Sequence, residues 1–389
     1  MLDFMDRFVS SRRGSLWFCV VLLAIAPISI ALLLSMWRSP FPITEMISFF
    51  EDADGSTAGR FFDPSIRSWY RPLFHLTLWG FWNASGSLLA GLHWFRYLEV
   101  GTVLVLLLLF VSYLRPRTGL QAAAALLAVA VMMGMSGFRD NLEIPVLMTL
   151  IGMPMALLAW MLLEREYRWW HTPLILVLTM AAIGYKEQGL IIAPVVVGAW
   201  WMRSPGARRS TTTVVVLAVL AYLAMRFSTS GHWALFEQDV GFGFGELGQD
   251  EATARFGDSP WILYAYSASA TIGNILFSEP SRGTFTVTDH VLSGAAQPWE
   301  WIDVVSSTLM TALIAWWGVQ TLRRDWRAEE WSAESRLFVI LVLVLGASGA
   351  LGFNYARDRL GGMAVPFYAA AGYFAVLSAA ERASTASLK

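Results

Sequence analysis

Apolar positions in this chain form long unbroken runs, unlike the alternation of a half-buried strand or the narrow stripe of a soluble helix. The runs are long enough to cross about 30 Å of hydrocarbon, and the polar and charged positions collect between them. Ten spans can be drawn, at about 17–36, 97–114, 119–136, 144–163, 172–185, 188–202, 211–227, 302–321, 337–353 and 361–380. The pattern predicts an all-α polytopic integral membrane protein with about ten transmembrane helices.

Composition agrees with a bilayer as the solvent. Of the 389 residues 56% are hydrophobic and only 15% are charged, and the mean hydropathy is +0.52, outside the range of soluble domains. The net charge of −1 provides no basic field for nucleic acid. We therefore expect one transmembrane domain over residues 1–389, with membrane lipids and no nucleic acid as partners and no separate soluble domain.

The short loops predict the orientation. RFVSSRR, LRPR, EREYR, RSPGARR and RRDWR fall on one face if the ten spans alternate, and Lys and Arg accumulate on the cytoplasmic side. Both termini are then cytoplasmic, which in a bacterial cell means a protein of the inner membrane. Two long outer loops, about 37–96 and 228–301, contain aromatic apolar patches typical of interfacial helices. For the patch at 260–278, insertion into the membrane is an open alternative.

The first candidate chemistry is the acidic motif FFEDADG in the first outer loop, with Glu51, Asp52 and Asp54. Carboxylates beside bulky aromatics near a membrane are partly desolvated, which raises their basicity. They could accept a proton from an acceptor hydroxyl or bind a divalent metal such as Mg²⁺ or Mn²⁺. A solvated acidic turn is the alternative.

A second pair of acids, Asp140 and Glu143, lies in SGFRDNLEIP between the third and fourth spans. If both continue into the helix that follows, their spacing places them on one face, as a second catalytic or metal-binding acid requires. Otherwise Asp140 is an N-cap and Glu143 completes a capping box.

Isolated basic residues occur on the same outer face. They are Arg71 in WYRPL, Lys186 beside Glu187 in AIGYKEQGL, and Arg357 and Arg359 in FNYARDRLGG. Basic groups at headgroup depth are suited to binding phosphate. The alternatives are that Arg71 snorkels to lipid, that Lys186 and Glu187 neutralise each other, and that the last two arginines anchor a span.

Four segments, in this order, resemble the C-type glycosyltransferases, which are polytopic enzymes that use lipid-phosphate sugar donors. The similarity is greatest to the branch of protein O-mannosyltransferases with tetratricopeptide tails and their bacterial relatives. The segments are FFEDAD, YRPLFHLTLWGFWNASGSLLAGLHWFRYLEVGTVLVLLLLFVSYL, YKEQGLIIAPVVV and RDRLGGMAVPFYAAAGYFAV. Together they cover about half of the chain, and the YRPL stretch is the most specific of them. The tetratricopeptide tail is absent from this sequence.

The resemblance implies an inverting glycosyltransferase that moves a sugar from a polyprenyl-phosphate donor to a glycan, lipid or protein acceptor on the periplasmic or lumenal face. By position, Asp52 would be the base with Glu51 beside it, and Asp54 follows closely. Asp140 or Glu143 would be the second acid. The donor phosphate would be bound by Arg71, Lys186, Arg357 and Arg359.

Two other functional classes stay open from the residues alone. A transporter or flippase of a lipid-linked glycan would use the same basic residues along a pathway, and such proteins usually carry ionisable groups deep within spans. A non-catalytic membrane assembly subunit would use the charged outer residues for contacts with a partner.

Overall fold

The computed structural model describes residues 12–38, 56–63, 71–143, 148–230, 240–242, 245–247, 253–254, 257, 260–277, 286–353 and 358–386. These residues are almost entirely helical. The α-helices are α1 Arg12–Arg38, α2 Pro72–Ser85, α3 Leu88–Leu114, α4 Gly119–Gly134, α5 Ser136–Glu143, α6 Met148–Leu163, α7 His171–Tyr185, α8 Ile192–Trp201, α9 Arg209–Ser230, α10 Pro260–Phe277, α11 Thr286–Leu292, α12 Pro298–Ala328, α13 Ala333–Leu351 and α14 Val365–Ala386.

Short irregular elements connect some of these helices. Segments of 3-10 helix cover Ala58–Phe62, Glu187–Ile191 and Asp358–Ala364. The second long loop contains an antiparallel hairpin of two three-residue strands, Val240–Phe242 and Gly245–Leu247. The helical class predicted from the sequence is confirmed.

Five helices among the described residues are long and apolar enough to cross a membrane. They are Ala90–Leu114, Arg209–Arg226, Pro298–Ala328, Ala333–Leu351 and Leu360–Ser384. A sixth span results if α4 and the following Ser136–Leu142, which meet at a 60° bend, are counted together. A membrane-embedded protein is supported, whereas the predicted count of about ten is not confirmed.

Helix length accounts for three of the predicted spans. The apolar runs at 144–163, 172–185 and 188–202 do form helices, but Thr149–Leu163 and His171–Tyr185 have only 15 residues each. At 1.5 Å per residue such a helix covers about 22 Å, less than the hydrocarbon thickness. Hydropathy marks an apolar stretch and does not show where its regular helix stops.

The helix α14 lies in the core of the bundle. Of an apolar 18-residue window in Leu360–Ser384, 83% is buried, against 17% in Pro298–Ala328. Small side chains let neighbouring helices approach α14 closely, and Ala369, Ala370, Ala371 and Ala375 are all buried. The alanine-rich α4 is one of these neighbours.

The bundle has two chemically different ends. At one end, called the basic end below, loops 115–118, 164–170, 203–208 and 329–332 join the helices and carry many arginines. Here Arg336 bonds Glu164 through Nε and Nη2 at 2.8 and 2.7 Å. The other end, called the far end, holds α2, α5, α10 and the 3-10 segments that begin at Glu187 and Asp358.

Candidate functional site

Arg71 stands at the entrance to α2 at the far end. Proline is favoured at the first helical position because no hydrogen bond is lost there, and Pro72 starts the helix. Arg71 has φ −131° and ψ 68°, outside the helical region as Pro72 predicts. Leu73, the residue after Pro72, packs on Gly184, where an added Cβ would lie 2.8 Å from Leu73 Cγ. The start of α2 is therefore fitted against the end of α7.

The segment after α7 folds back on that helix. Lys186 is extended, with φ −161° and ψ 152°, and its carbonyl accepts a hydrogen bond from Gly189 N at 2.9 Å. A Cβ on Gly189 would lie 2.3 Å from the backbone of Ala182 and Ile183. Glycine is thus required for the turn that presents Lys186 and Glu187.

Glu187 is the centre of an ion-pair cluster. Arg71 donates to its carboxylate through Nε at 3.1 Å and through Nη2 at 2.9 Å. Arg226, near the end of α9, approaches the same carboxylate through Nη1 at 3.0 Å. The three side chains are only 13–15% exposed. Arg226 Nη1 also donates to the Tyr222 hydroxyl at 3.4 Å.

The charge on Glu187 is stabilised by these neighbours. Burial alone would raise the pKa of Glu187, but Arg71 and Arg226 outweigh burial and lower the pKa to about 2. Lys186 acts in the same direction. Glu187 is therefore an anion at all physiological pH values.

Two more polar side chains are buried beside the cluster. Lys186 is 9% exposed. Gln188 is 4% exposed, and its Oε1 has no hydrogen-bond donor among the described residues. The neighbouring Tyr185 hydroxyl lies 2.8 Å from Thr77 Oγ1 of α2, which ties the two helices together a second time.

This geometry adds residues to those predicted from the sequence. Mutual neutralisation of Lys186 and Glu187 stays an alternative, since Lys186 also lowers the pKa of Glu187, but Arg71 and Arg226 contact the same carboxylate. Arg226 and Tyr222 were not predicted. Arg226 lies at the outer end of the run 211–227, so the argument applied to the other outer basic residues could have found it.

Asp140 and Glu143 lie in a different local structure from the one expected. They belong to the short helix α5, whereas the sequence suggested the following helix or an N-cap. The N-cap and capping-box alternative is wrong, because Asp140 is inside a helix. The three-residue spacing still places both residues on one face of α5. The adjacent Arg139 approaches Asp303 of α12, with Nη2 and Oδ2 3.7 Å apart.

The segments that carry the other predicted residues come together at the far end. The 3-10 segment Glu187–Ile191 packs against Asp358–Ala364, which packs against α5. Gly362 in that segment faces the Asn141 side chain, since a Cβ would lie 2.8 Å from Asn141 Nδ2. Arg359 belongs to Asp358–Ala364 by its backbone, and Arg357 lies outside the described residues.

The acidic motif of the first outer loop, Glu51, Asp52 and Asp54, also lies outside the described residues. The chain becomes described at Ser56, whose carbonyl accepts a hydrogen bond from Trp79 Nε1 of α2 at 2.8 Å. The following Ala58–Phe62 packs along α2, and Phe61 stacks on His75 with 6.0 Å between ring centroids.

A metal site is not formed by the described part of the chain. No three His, Cys, Asp or Glu side chains lie together there. A Mg²⁺ or Mn²⁺ ion at the acidic motif stays a prediction, because those carboxylates are not among the described residues.

The cluster is suited to binding an anion. Arg71, Lys186 and Arg226 surround one carboxylate, so the four side chains together carry two positive charges in excess. Each guanidinium has five N–H donors in a planar fork, and the contact with Glu187 helps to fix the orientation of both arginines. The two excess positive charges would attract a phosphate group to this cluster.

Comparison with protein-family models, with curated proteins and with solved structures finds no match to this chain.

Proposed function

We propose that this chain is a membrane glycosyltransferase that takes a sugar from a polyprenyl-phosphate donor. The observation that carries the proposal is the cationic cluster around Glu187, where Arg71 and Arg226 share one buried carboxylate. Arg71, Lys186 and Arg226 would bind the donor phosphate and stabilise the negative charge that develops on it as the sugar leaves. Arg357 and Arg359 would contribute from the neighbouring segment.

The acceptor would be activated by the acidic motif. Asp52 precedes Ser56 by four residues in the sequence, with Glu51 and Asp54 close to it, and Ser56 is held to α2 by Trp79. Asp52 would accept the proton of the acceptor hydroxyl while that oxygen attacks the anomeric carbon and the phosphate leaves. One displacement of this kind inverts the anomeric centre.

Asp140 and Glu143, on one face of α5, would supply a second acid to the same end. Since α5 packs against Asp358–Ala364 and that segment packs against Glu187–Ile191, an acid there would border the phosphate site. In a bacterial cell this chemistry would face the periplasm from the inner membrane.

The test uses the full chain in proteoliposomes with tritiated undecaprenyl phosphate mannose or undecaprenyl phosphate glucose and a membrane extract as acceptor. We expect Asp52→Asn and Arg226→Gln each to lower sugar transfer by about 100-fold or more. Arg209→Gln, at the basic end, should retain full transfer. Full activity in both Asp52→Asn and Arg226→Gln would contradict the proposed roles of these residues in sugar transfer.

One observation favours a transporter as the second candidate. Arg96 and Glu99 form an ion pair of 2.9 Å inside the candidate span Ala90–Leu114, with side chains 1% and 0% exposed. Ionisable pairs at such positions occur along substrate or proton pathways. Movement of a labelled lipid-linked glycan across the proteoliposome membrane, without covalent transfer and lost in Glu99→Gln, would support this function instead.

A further inference from the structure

A second charged site lies at the basic end, on the side of the bundle away from the Glu187 cluster. A cavity of about 640 Å³ opens there between α3, α4, α12, α13 and α14. This volume lies in the range of small-molecule sites. The proposed glycosyltransferase chemistry does not use any residue that lines it.

The rim of the cavity is basic. Its lining includes four arginines and two glutamates, an excess of two positive charges: Arg115, Arg117, Arg324, Arg382, Glu334 and Glu381. They come from separate elements, the turn after α3, α12, α13 and α14. Arg324 contacts Glu334 at 3.2 Å, and Arg382 stacks over the Trp316 ring at 4.6 Å.

The turn between α3 and α4 concentrates positive charge. Burial, and then the neighbouring Arg117, lower the pKa of Arg115. Burial, Arg115 and Arg168 likewise lower the pKa of Arg165 in the adjacent loop. An anion that binds among these cations relieves their mutual repulsion and stabilises their charged forms.

Aromatic and apolar side chains form one wall of the cavity, beside polar groups such as Gln320 and Thr321. Trp317 of α12 and Phe374 of α14 stack with 6.1 Å between ring centroids and 12° between ring planes. Leu114 and Leu377 extend this surface. This wall lies at the level where α3 ends, since the Tyr373 hydroxyl beside Phe374 donates to the Leu114 carbonyl at 3.4 Å.

We propose that this cavity binds an anionic phospholipid, with the phosphodiester at Arg115 and Arg117 and an acyl chain along Trp317, Phe374 and Leu377. Basic pockets between helix ends attract acidic headgroups. The aromatic and leucine wall favours a lipid over a free anion, because a free phosphate would gain nothing from aromatic rings and leucines. The inference is independent of the glycosyltransferase proposal, since the two sites share no residue.

The test measures binding of short-chain lipids to the purified full chain in a non-ionic detergent. The probes are dioctanoyl phosphatidylglycerol, dioctanoyl phosphatidylcholine and inorganic phosphate. We expect the anionic lipid to bind at least about tenfold more tightly than the zwitterionic lipid. Each arginine near an anionic headgroup contributes about 1 kcal/mol. The double variant R115Q/R117Q should therefore bind the anionic lipid about thirtyfold more weakly.

The control R209Q/R327Q also removes two arginines from the basic end, but neither residue lines the cavity. It should bind the anionic lipid as the unchanged protein does. R382Q provides a second cavity variant if R115Q/R117Q fails to fold, and it should weaken the same lipid severalfold.

Three results would overturn the proposal. Equal losses of lipid affinity in R115Q/R117Q and R209Q/R327Q would indicate a non-specific charge effect. Equal binding of the two lipids would show that the basic rim does not recognise the charge of the headgroup. Competition by inorganic phosphate as effective as that by the lipid would indicate an anion site without an acyl chain. Sugar transfer is measured separately, and its loss or retention does not bear on this binding.

Discussion

Arg71 and Glu187 are 116 residues apart in sequence, and two nitrogens of the arginine side chain contact the Glu187 carboxylate in the folded chain. The contact joins the first long outer loop to the break between α7 and α8. It also brings Arg226 of α9 into the same cluster through the shared carboxylate. Three distant parts of the sequence are therefore held at one point by one acid.

Removing that acid should be strongly destabilising. Glu187→Gln leaves the positive charges of Arg71 and Arg226 close together without the negative charge between them. Breaking a buried ion pair costs about 3–5 kcal/mol. We expect a clear fall in the thermal unfolding temperature in detergent. The control is Glu334→Gln, whose partner Arg324 is 58% exposed; a pair of that kind contributes about 1 kcal/mol or less. Equal effects in the two variants would contradict the assigned role of Glu187.

The same cluster predicts a pH dependence in the acid range. The pKa of Glu187 is lowered from 4.5 to about 2, so its contribution to stability is complete above pH 4.5 and is lost as the pH falls toward 2. The difference in unfolding temperature between the unchanged protein and Glu187→Gln should be constant from pH 7 to about 5 and then shrink. A steady decrease between pH 7 and 5 would point to a different titrating group.

Gly189 should tolerate no side chain. Gly189→Ala places a Cβ 2.3 Å from the backbone of Ala182 and Ile183, so the turn carrying Lys186 and Glu187 must move. We expect a loss of stability of more than about 2 kcal/mol and weaker binding of undecaprenyl phosphate. The matched control is Gly346→Ala in α13, where nothing lies within 4 Å of the added Cβ. That change should be neutral or stabilising by up to about 1 kcal/mol.

Trp79 should restrain the first outer loop. Trp79→Phe removes the hydrogen bond from Nε1 to the Ser56 carbonyl at a cost of about 0.5–1.5 kcal/mol. Limited proteolysis should then cut faster near residues 56–63. Trp169→Phe, at a side chain that is 79% exposed, should leave the cleavage rate unchanged. Equal rates in all three proteins would show that the bond does not hold the loop.

Local features of the fold could be predicted from the sequence. Pro72 marks the first residue of α2, and the interruption of the apolar pattern at Lys186 and Glu187 marks the end of α7. Both signals are local, because they depend on backbone restrictions and on the cost of burying charge. The long apolar run before Leu114 likewise forms the candidate span Ala90–Leu114.

Other features depend on tertiary packing and could not be predicted. No pattern in the sequence connects Glu187 to Arg226, since they are 39 positions apart and meet only because α7 and α9 pack side by side. The helix α5 was expected as a turn, and its residues are helical where they pack against Asp358–Ala364. The sequence of α5 has only a weak local preference for helix, and its packing against Asp358–Ala364 adds tertiary contacts that favour the helix.

The burial of α14 has a consequence for the order of assembly. This helix is synthesised after all the other described helices, yet 83% of its apolar window is buried inside the bundle. The faces of α4 and α12 that it covers must therefore contact lipid or one another until it arrives. Helices made early can enter the bilayer as they leave the ribosome, but they reach their final packing only when Ala369, Ala370 and Ala371 are inserted between them.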